Sequence, residues 1–528
     1  MKPLRTLDFL LEPGQVPQVL EGLRERFSLL EEPAPPVSST VYDTFDWRLR
    51  ADGGTLEVHH HRGPAPELIW SHPGGEVQHR LELPKRNAAA PPFAWDYPEG
   101  PLRRDLEAVI EMRRLLPRLR LDRRGTTLRV LDDEAKTTVR IRLVETTVTA
   151  DGDGPKDLAP RLEVAPVRGY PKPAEKVTAL LRDLGCELAE GRQIDEALRA
   201  VGLRPEDHPG KLALSFDPQL PAADAARSIH LALLHILELN EDGTRRDIDS
   251  EYLHDFRVAV RRTRSALSQV KGVFAAGDVA RFKTEFSWLG KVTGPTRDLD
   301  VYLLKMPAYR DQLPETVRRD LEPLERFLAD RQRKAQRALA RVLGGNRYRR
   351  LVADWRSFLE SPTEVSGEDA PNAAAPVLGV ASSRIWKIYR RILKWGHAID
   401  DTSPAERLHE VRIEAKKLRY LMEFFRGLYP KDEVTRAIKA LKRLQDNLGD
   451  FNDYEVQQGA LGGFAEEMAG RDDVPAATLL AMGRLVAHLE EGQERERRDF
   501  HRRFERFAGE EDQARYRRLF RGAGRAGG

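Results

Sequence analysis

The chain of 528 residues contains one cysteine, Cys186. That excludes an intramolecular disulfide framework and a cysteine-built zinc site, and a small buried apolar thiol is the expected state of Cys186. Long hydrophobic runs are absent as well. No stretch approaches the ~18 apolar residues of a membrane span, and the start, Met1-Lys2-Pro3-Leu4-Arg5-Thr6-Leu7-Asp8, lacks the uninterrupted apolar core of a secretory signal. Cytoplasmic residence is the expectation, with no membrane partner. A strong net charge is also missing: 87 basic residues face 84 acidic ones, leaving +3. Affinity for anions must therefore come from local clustering and not from a global field.

Such clustering occurs twice. The segments His254-Asp255-Phe256-Arg257-Val258-Ala259-Val260-Arg261-Arg262-Thr263-Arg264 and His409-Glu410-Val411-Arg412-Ile413-Glu414-Ala415-Lys416-Lys417-Leu418-Arg419 carry nearly the same basic pattern. At roughly 100° per residue, offsets 0, 3, 7 and 10 fall near 0°, 300°, 340° and 280°, so each set forms one narrow stripe of a helix. The stripes are His254, Arg257, Arg261 and Arg264, then His409, Arg412, Lys416 and Arg419. Phe256, Val260 and Leu267, and Val411, Ala415, Leu418 and Met422, lie opposite or beside them, as on a helix packed against a core. Four cations at helical spacing repel one another, and a helix built only for solubility would intersperse acids. A polyanion would relieve the repulsion.

Length predicts more than one domain. Residues 1–205 alternate with strand period in Thr55–His59, Thr137–Val144 and Arg161–Val164, broken by turns at Gly53-Gly54, Gly74-Gly75 and Asp151–Gly154, with helical segments near 15–29, 101–116 and 174–184. An α+β domain on an antiparallel sheet is predicted there. From about Leu212 long amphipathic helices take over, punctuated at Gly243, Gly277, Gly344-Gly345, Gly427 and Gly449. Two copies of one module are traceable, about 222–346 and 375–507, joined by the polar linker Ser361–Asn372. Each places its basic helix second. A further correspondence aligns Leu289–Asp300 with Leu441–Asn452, so that Lys291 meets Arg443 and Asp298 meets Asp450. The duplication predicts two helical bundles about a pseudo-twofold axis, with both stripes lining one groove.

Other features have plainer readings. Asp298, Asp300, Asp450 and Asp453 follow Gly or Pro and are read as helix N-caps, with orientation of arginines such as Arg297 as the alternative. His254 and His409 either donate to an anion or brace their helices. In the run His59-His60-His61, with His72 and His79 nearby, alternate strand residues face opposite sides, so three adjacent histidines cannot chelate one ion. No metal site is assigned. Phe500, Phe504 and Phe507, interleaved with Arg502, Arg503 and Arg506, have the spacing of a packed helical stripe, and the tail Arg517–Arg525 adds loose positive charge.

The two basic helices, with Lys-x5-Arg-Asp-x-Asp after the first, Arg-Tyr-x2-Glu closing the second at Glu423, and Leu-Gln-Asp-x-Leu-Gly-Asp at Leu444–Asp450, resemble the CHAD family, the histidine-containing α-helical domain, over residues 212–522. The resemblance implies binding of inorganic polyphosphate and, in some members, association with polyphosphate granules. Its expected contacts are His254, Arg257, Arg261, Arg262, Arg264, Lys291, Arg297, His409, Arg412, Lys416, Lys417, Arg419 and Arg443. Residues 1–205 are similar, more faintly, to the CYTH or triphosphate-tunnel family through Tyr42-Asp43-Thr44-Phe45-Asp46-Trp47-Arg48-Leu49. Where that family has Glu-x-Glu-x-Lys this chain has Thr6-Leu7-Asp8-Phe9-Leu10, and a later Glu-x-Glu-x-Glu becomes Arg161-Leu162-Glu163-Val164-Ala165.

Holding Mg²⁺ against its hydration shell takes several converging oxygen ligands, and Asp8 and Glu163 are two. The expectation is a degenerate tunnel-like domain followed by a helical domain, binding polyphosphate without catalytic residues or cofactor. Two alternatives stand beside it: a Mg²⁺-dependent triphosphatase in the N-terminal domain, and a nucleic-acid or protein-interaction scaffold. Oligomeric state is left open.

Overall fold

Period-2 alternation and β-branched content in the first part of the chain are realised as one antiparallel sheet. The computed structural model describes residues 6–60, 63–72, 76–85, 89–150, 152–207, 214–360, 368–400 and 402–521. His61, the Gly74-Gly75 turn, Asp151, residues 361–367 of the linker and the tail from 522 onward lie outside the described residues. The chain divides into two units, Met1–Gly210 and Lys211–Gly528.

The first unit contains β1 (Leu7–Leu10), α1 (Val16–Arg26), β2 (Ser28–Asp43), α2 (Arg48–Ala51), β3 (Thr55–His60), β4 (Glu67–His72), β5 (Glu76–Glu82), α3 (Pro101–Ile110), β6 (Leu116–Leu131), β7 (Thr137–Thr149), β8 (Lys156–Asp157), β9 (Arg161–Pro166), α4 (Pro171–Asp183), β10 (Glu187–Leu188) and α5 (Gln193–Ala200). The strand order is β10-β1-β9-β7-β6-β2-β3-β4-β5, with β8 on β7. One face buries Phe9, Leu128, Ile141 and Leu162 against Val19 and Leu23 of α1 and Val177 and Leu181 of α4, and Cys186 is buried in this cluster. On the opposite face Val41, Leu119, Leu121 and Val148 pack on Ile194, Ala197 and Leu198 of α5. With only eight residues, α5 is too short to announce itself by periodicity.

The second unit is helical: α6 (Ala222–Arg246), α7 (Ser250–Gln269), α8 (Ala276–Val292), α9 (Gly294–Asp311), α10 (Glu322–Leu343), α11 (Asn346–Glu360), α12 (Val377–Gly396), α13 (Ala405–Phe424), α14 (Lys431–Ala469), α15 (Ala476–Phe507) and α16 (Glu510–Tyr516). Its halves repeat at a constant offset of 155 residues: Ala222 and Val377 open α6 and α12, α7 matches α13 at both ends, and α8 and α14 start at Ala276 and Lys431. Each half runs on past Asn346 and Phe507, into α11 and α16. Reciprocal hydrogen bonds join them, from Ala222 N to Ala375 O and from Val377 N to Leu220 O, both 2.9 Å, and Pro221 pairs with Pro376. One apolar cluster draws on both halves, from Ile229 and Phe256 to Ile388, Leu418 and Phe504. Phe500, Phe504 and Phe507 are buried there, as their spacing requires.

Gly243 does not end α6, which continues to Arg246; it makes room for the ring of Tyr252 on α7. A Cβ at this position would lie 2.1 Å from the Tyr252 ring. Gly243→Ala is therefore expected to destabilise the helical unit by about 1–3 kcal/mol through overpacking. Denaturant unfolding of the two proteins measures this, and equal midpoints would refute the close approach.

Candidate functional site

The side chain of Asp249 caps α7, accepting from the backbone N–H of Glu251 at 2.8 Å and Tyr252 at 3.3 Å. This sets the phase that buries Phe256, Val260 and Leu267 and turns the stripe away from the core. In the second half Leu408, Val411, Ala415 and Leu418 do the same for α13. Helices α7 and α13 pack on one another, so the two cationic faces meet along a seam. Arg261 is the meeting point: its charge acts on Arg257 of its own half and on Arg412 and Lys416 of the other.

The stripe lies deeper than a solvated face. Burial lowers the pKa values of Arg257 and Arg412 from the ordinary guanidinium value. Arg257 donates through Nη1 to Gly290 O at 3.1 Å and Thr293 Oγ1 at 2.9 Å, where α8 gives way to α9. Arg412 Nη2 lies 3.5 Å from Asp453 Oδ1. The histidines are braced from behind. His254 Nδ1 accepts from Arg297 Nη2 at 2.9 Å, and His409 Nδ1 is 2.9 Å from Asn452 Oδ1. Since Asn452 Nδ2 faces Asp453, its oxygen is the atom turned to His409, which makes His409 Nδ1 the donor.

These contacts correct two expectations. Arg297 and Asn452 hold equivalent histidines, and Asp298 and Asp453 stand beside equivalent arginines, so the register is 155 throughout. Asp298 matches Asp453 and not Asp450; Lys291 matches Asp446 and not Arg443. The alignment of Leu289–Asp300 with Leu441–Asn452 is slipped by nearly one helical turn, whereas Arg297-Asp298-Leu299-Asp300-Val301 against Asn452-Asp453-Tyr454-Glu455-Val456 carries the true correspondence. The N-cap reading of the four aspartates also falls. Asp298 and Asp300 lie within α9, and Asp450 and Asp453 lie inside α14, which passes unbroken through Gly449. Gly449 sits in a helix that packing sustains despite its poor propensity. Asp298 and Asp453 act as neighbours of the arginines, and Asp300 accepts from Gln332 Nε2 at 3.0 Å.

The other expected contacts divide into two groups. Among the described residues Arg261, Arg264, Lys291 and Lys416 have no carboxylate ion pair. By contrast Lys417 donates to the buried Glu414 at 2.6 Å, Arg297 to Ser250 O at 2.9 Å, and Arg262 to Glu423 of the other half at 2.7 Å. The charge of Arg443 acts on Asp512 of α16. Tyr420 was not anticipated. Its buried ring has the guanidinium carbons of Arg261, Arg262 and Arg419 at 6.0, 5.8 and 5.6 Å from its centroid. An aromatic amid three arginines in a basic motif is the signal that could have found it.

In the first unit Asp8 and Glu163 face one another in register across β1 and β9. Burial raises the pKa of Glu163, and Arg142, donating at 3.2 Å, opposes that rise. Arg161 is bonded to Glu196 of α5 at 2.9 Å and Arg50 to Asp195 of α5 at 3.0 Å, while Arg123 meets Glu57 at 2.9 Å. His59 lies beside Glu57 and His60 beside Thr40, on opposite faces of β3, while His79 pairs with Asp105 at 2.7 Å.

A helical unit built twice, with two cationic helices meeting at its join, belongs to the class of duplicated α-helical domains. Residues 227–462 match the CHAD domain. Two uncharacterized proteins of Mycobacterium tuberculosis, from strains CDC 1551 and H37Rv, are 29% identical over 290 residues, covering 52% of this chain and 54% of each relative. The chain thus spans about half the length of the curated relatives it matches. A crystal structure of the CHAD domain from the plant Ricinus communis is similar at 27% identity and TM-score 0.44, over 54% of this chain and 95% of that one. An adenylyl cyclase candidate from Hippeastrum, described as having a dominant triphosphatase activity, is similar at 13% identity and TM-score 0.25, over 38% of this chain and 96% of that one. Among the described residues no helix is long and apolar enough to cross a membrane.

Burial, then the charges of Arg412 and Arg261, push Lys416 from its ordinary 10.5 down to about 8. With its pKa lower in the folded state, the unfolded chain binds more protons between those values, so stability rises as pH climbs from about 8. The penalty is fully present below pH 8. Lys416→Met should accordingly be more stable than wild type near pH 7, with the gap closing towards pH 10. Unfolding midpoints across that range test this, and a constant gap would refute it.

Proposed function

We propose that this protein binds inorganic polyphosphate along the seam between α7 and α13, without chemistry of its own. The observation that carries the reading is the convergence of both stripes on Arg261, which leaves like charges held together in partly desolvated positions by the fold. Phosphate oxygens would satisfy them through charge-assisted hydrogen bonds, guanidinium forks at the arginines and a point charge at Lys416. Such a site is tolerant of register and weakened by salt through counterion release, by analogy with other phosphate polymers. Each stripe spans ~15 Å, enough for several consecutive phosphates. Binding of this kind would also place the protein on polyphosphate granules.

Arg257 and Arg412 make poor probes, since Arg257 also holds the α8–α9 junction. Arg261→Ala/Lys416→Ala removes two cations that have no carboxylate ion pair. Affinity for long-chain polyphosphate is expected to fall on the order of tenfold or more at low salt, with the log–log salt slope shallower by roughly 1.4 for two lost phosphate contacts. Unchanged binding would remove the seam from the reading. Duplex DNA or RNA competing equally well at matched phosphate concentration would favour a nucleic-acid scaffold instead. Mg²⁺-dependent release of phosphate from tripolyphosphate would assign a triphosphatase activity. Against that alternative, Asp8 and Glu163 are two carboxylates with arginines alongside, and α5 places Asp195 and Glu196 on arginines that an anionic substrate would need.

A further inference from the structure

One carboxylate at the seam belongs to neither half alone. Glu423 on α13 accepts from Arg262 of α7 at 2.7 Å and lies 3.6 Å from Arg419 Nε on its own helix. The three side chains are partly exposed, at 28%, 20% and 26% respectively, so solvent and ligands reach them. The architecture does not require an acid here. At the equivalent position α7 has Ser268, whose hydroxyl donates to Arg264 O within its own helix, yet α7 has the same length as α13. Glu414 is the contrasting case: its side chain, 4% exposed, takes both Arg391 of α12 and Lys417 and braces two helices. Nor does Glu423 alone hold the guanidinium groups in place. Arg262 and Arg419 both lie over the Tyr420 ring, which provides a second anchor.

We propose that Glu423 is a specificity-determining residue of the polyphosphate site, an internal counterion that occupies Arg262 and Arg419 until a ligand displaces it. This rests on the reading of the seam as that site. A short anion that takes these two arginines exchanges one carboxylate contact for one phosphate contact and gains little. A long chain already held by Arg261, Lys416 and Arg412 brings further phosphates at high local concentration and displaces Glu423 readily. The carboxylate therefore tilts the seam towards long chains.

The test uses the full chain as wild type and Glu423→Gln, titrated with tripolyphosphate and with long-chain polyphosphate over a range of salt. Glu423→Gln is expected to bind both ligands more tightly at low salt, by roughly three- to tenfold, with a slope steeper by about 1 to 1.4. The larger gain should be for tripolyphosphate, so the preference for long chains narrows. Thermal unfolding of the same two proteins gives the readout of a strut: a lowered midpoint with equal or weaker binding would show Glu423 to be structural and overturn the proposal. If wild type binds and Glu423→Gln binds no better, this inference fails alone. If neither protein binds either ligand, the reading of the seam fails and takes this inference with it.

Discussion

Packing two positively charged helices against one another is the constraint on which the helical unit turns. Brought together without compensation, α7 and α13 would repel along their length. The fold answers from several sides. A shared apolar cluster holds the helices from below, and the reciprocal hydrogen bonds of Leu220–Ala222 and Ala375–Val377 tie the halves at α6 and α12. The face of Tyr420 accepts three guanidinium groups, while Glu414, Glu423, Asp298 and Asp453 neutralise selected cations. What is left over is a short row of cations, centred on Arg261, with no carboxylate ion pair among the described residues.

Duplication makes that arrangement possible and also makes it unequal. Because the offset is constant, each half contributes a histidine braced from the facing helix and an arginine beside an aspartate. The bracing groups differ: Arg297 supplies a donor to His254, whereas Asn452 presents an acceptor to His409. Arg257 is locked to the end of α8, while Arg412 faces an unbroken α14. The first unit manages its charges in another way. There α5 lays an apolar side on the sheet and pairs Asp195 and Glu196 with Arg50 and Arg161.

Much of this was legible before any coordinates. Long-range periodicity located the helices and the basic stripes, since a helix must repeat every 3.6 residues to bury one side. The same logic separated the sheet-bearing unit and identified the packed Phe500, Phe504 and Phe507. Reading failed where local chemistry was ambiguous. Gly449 resembles a helix end but is carried through by the packing of α14, and so the aspartates around it resembled caps. The alignment of Leu289–Asp300 with Leu441–Asn452 is out by three residues, and a slip of nearly one turn changes little in a hydrophobic pattern while exchanging every polar partner.

The amino-acid sequence by itself determined that two matching cationic helices exist and that each has an apolar back. These are properties of residue order along one element. Only the tertiary structure decided which cations are left unsatisfied, because that depends on what faces them. Lys417 and Arg443 look equivalent to Lys416 in composition, yet Glu414 takes one and Asp512 draws the other, while Arg261 comes to stand between both halves. Charge type is written in the chain; which neighbour neutralises it is decided by packing, Lys417 finding Glu414 one turn back on its own helix while Arg262 finds Glu423 on the other half.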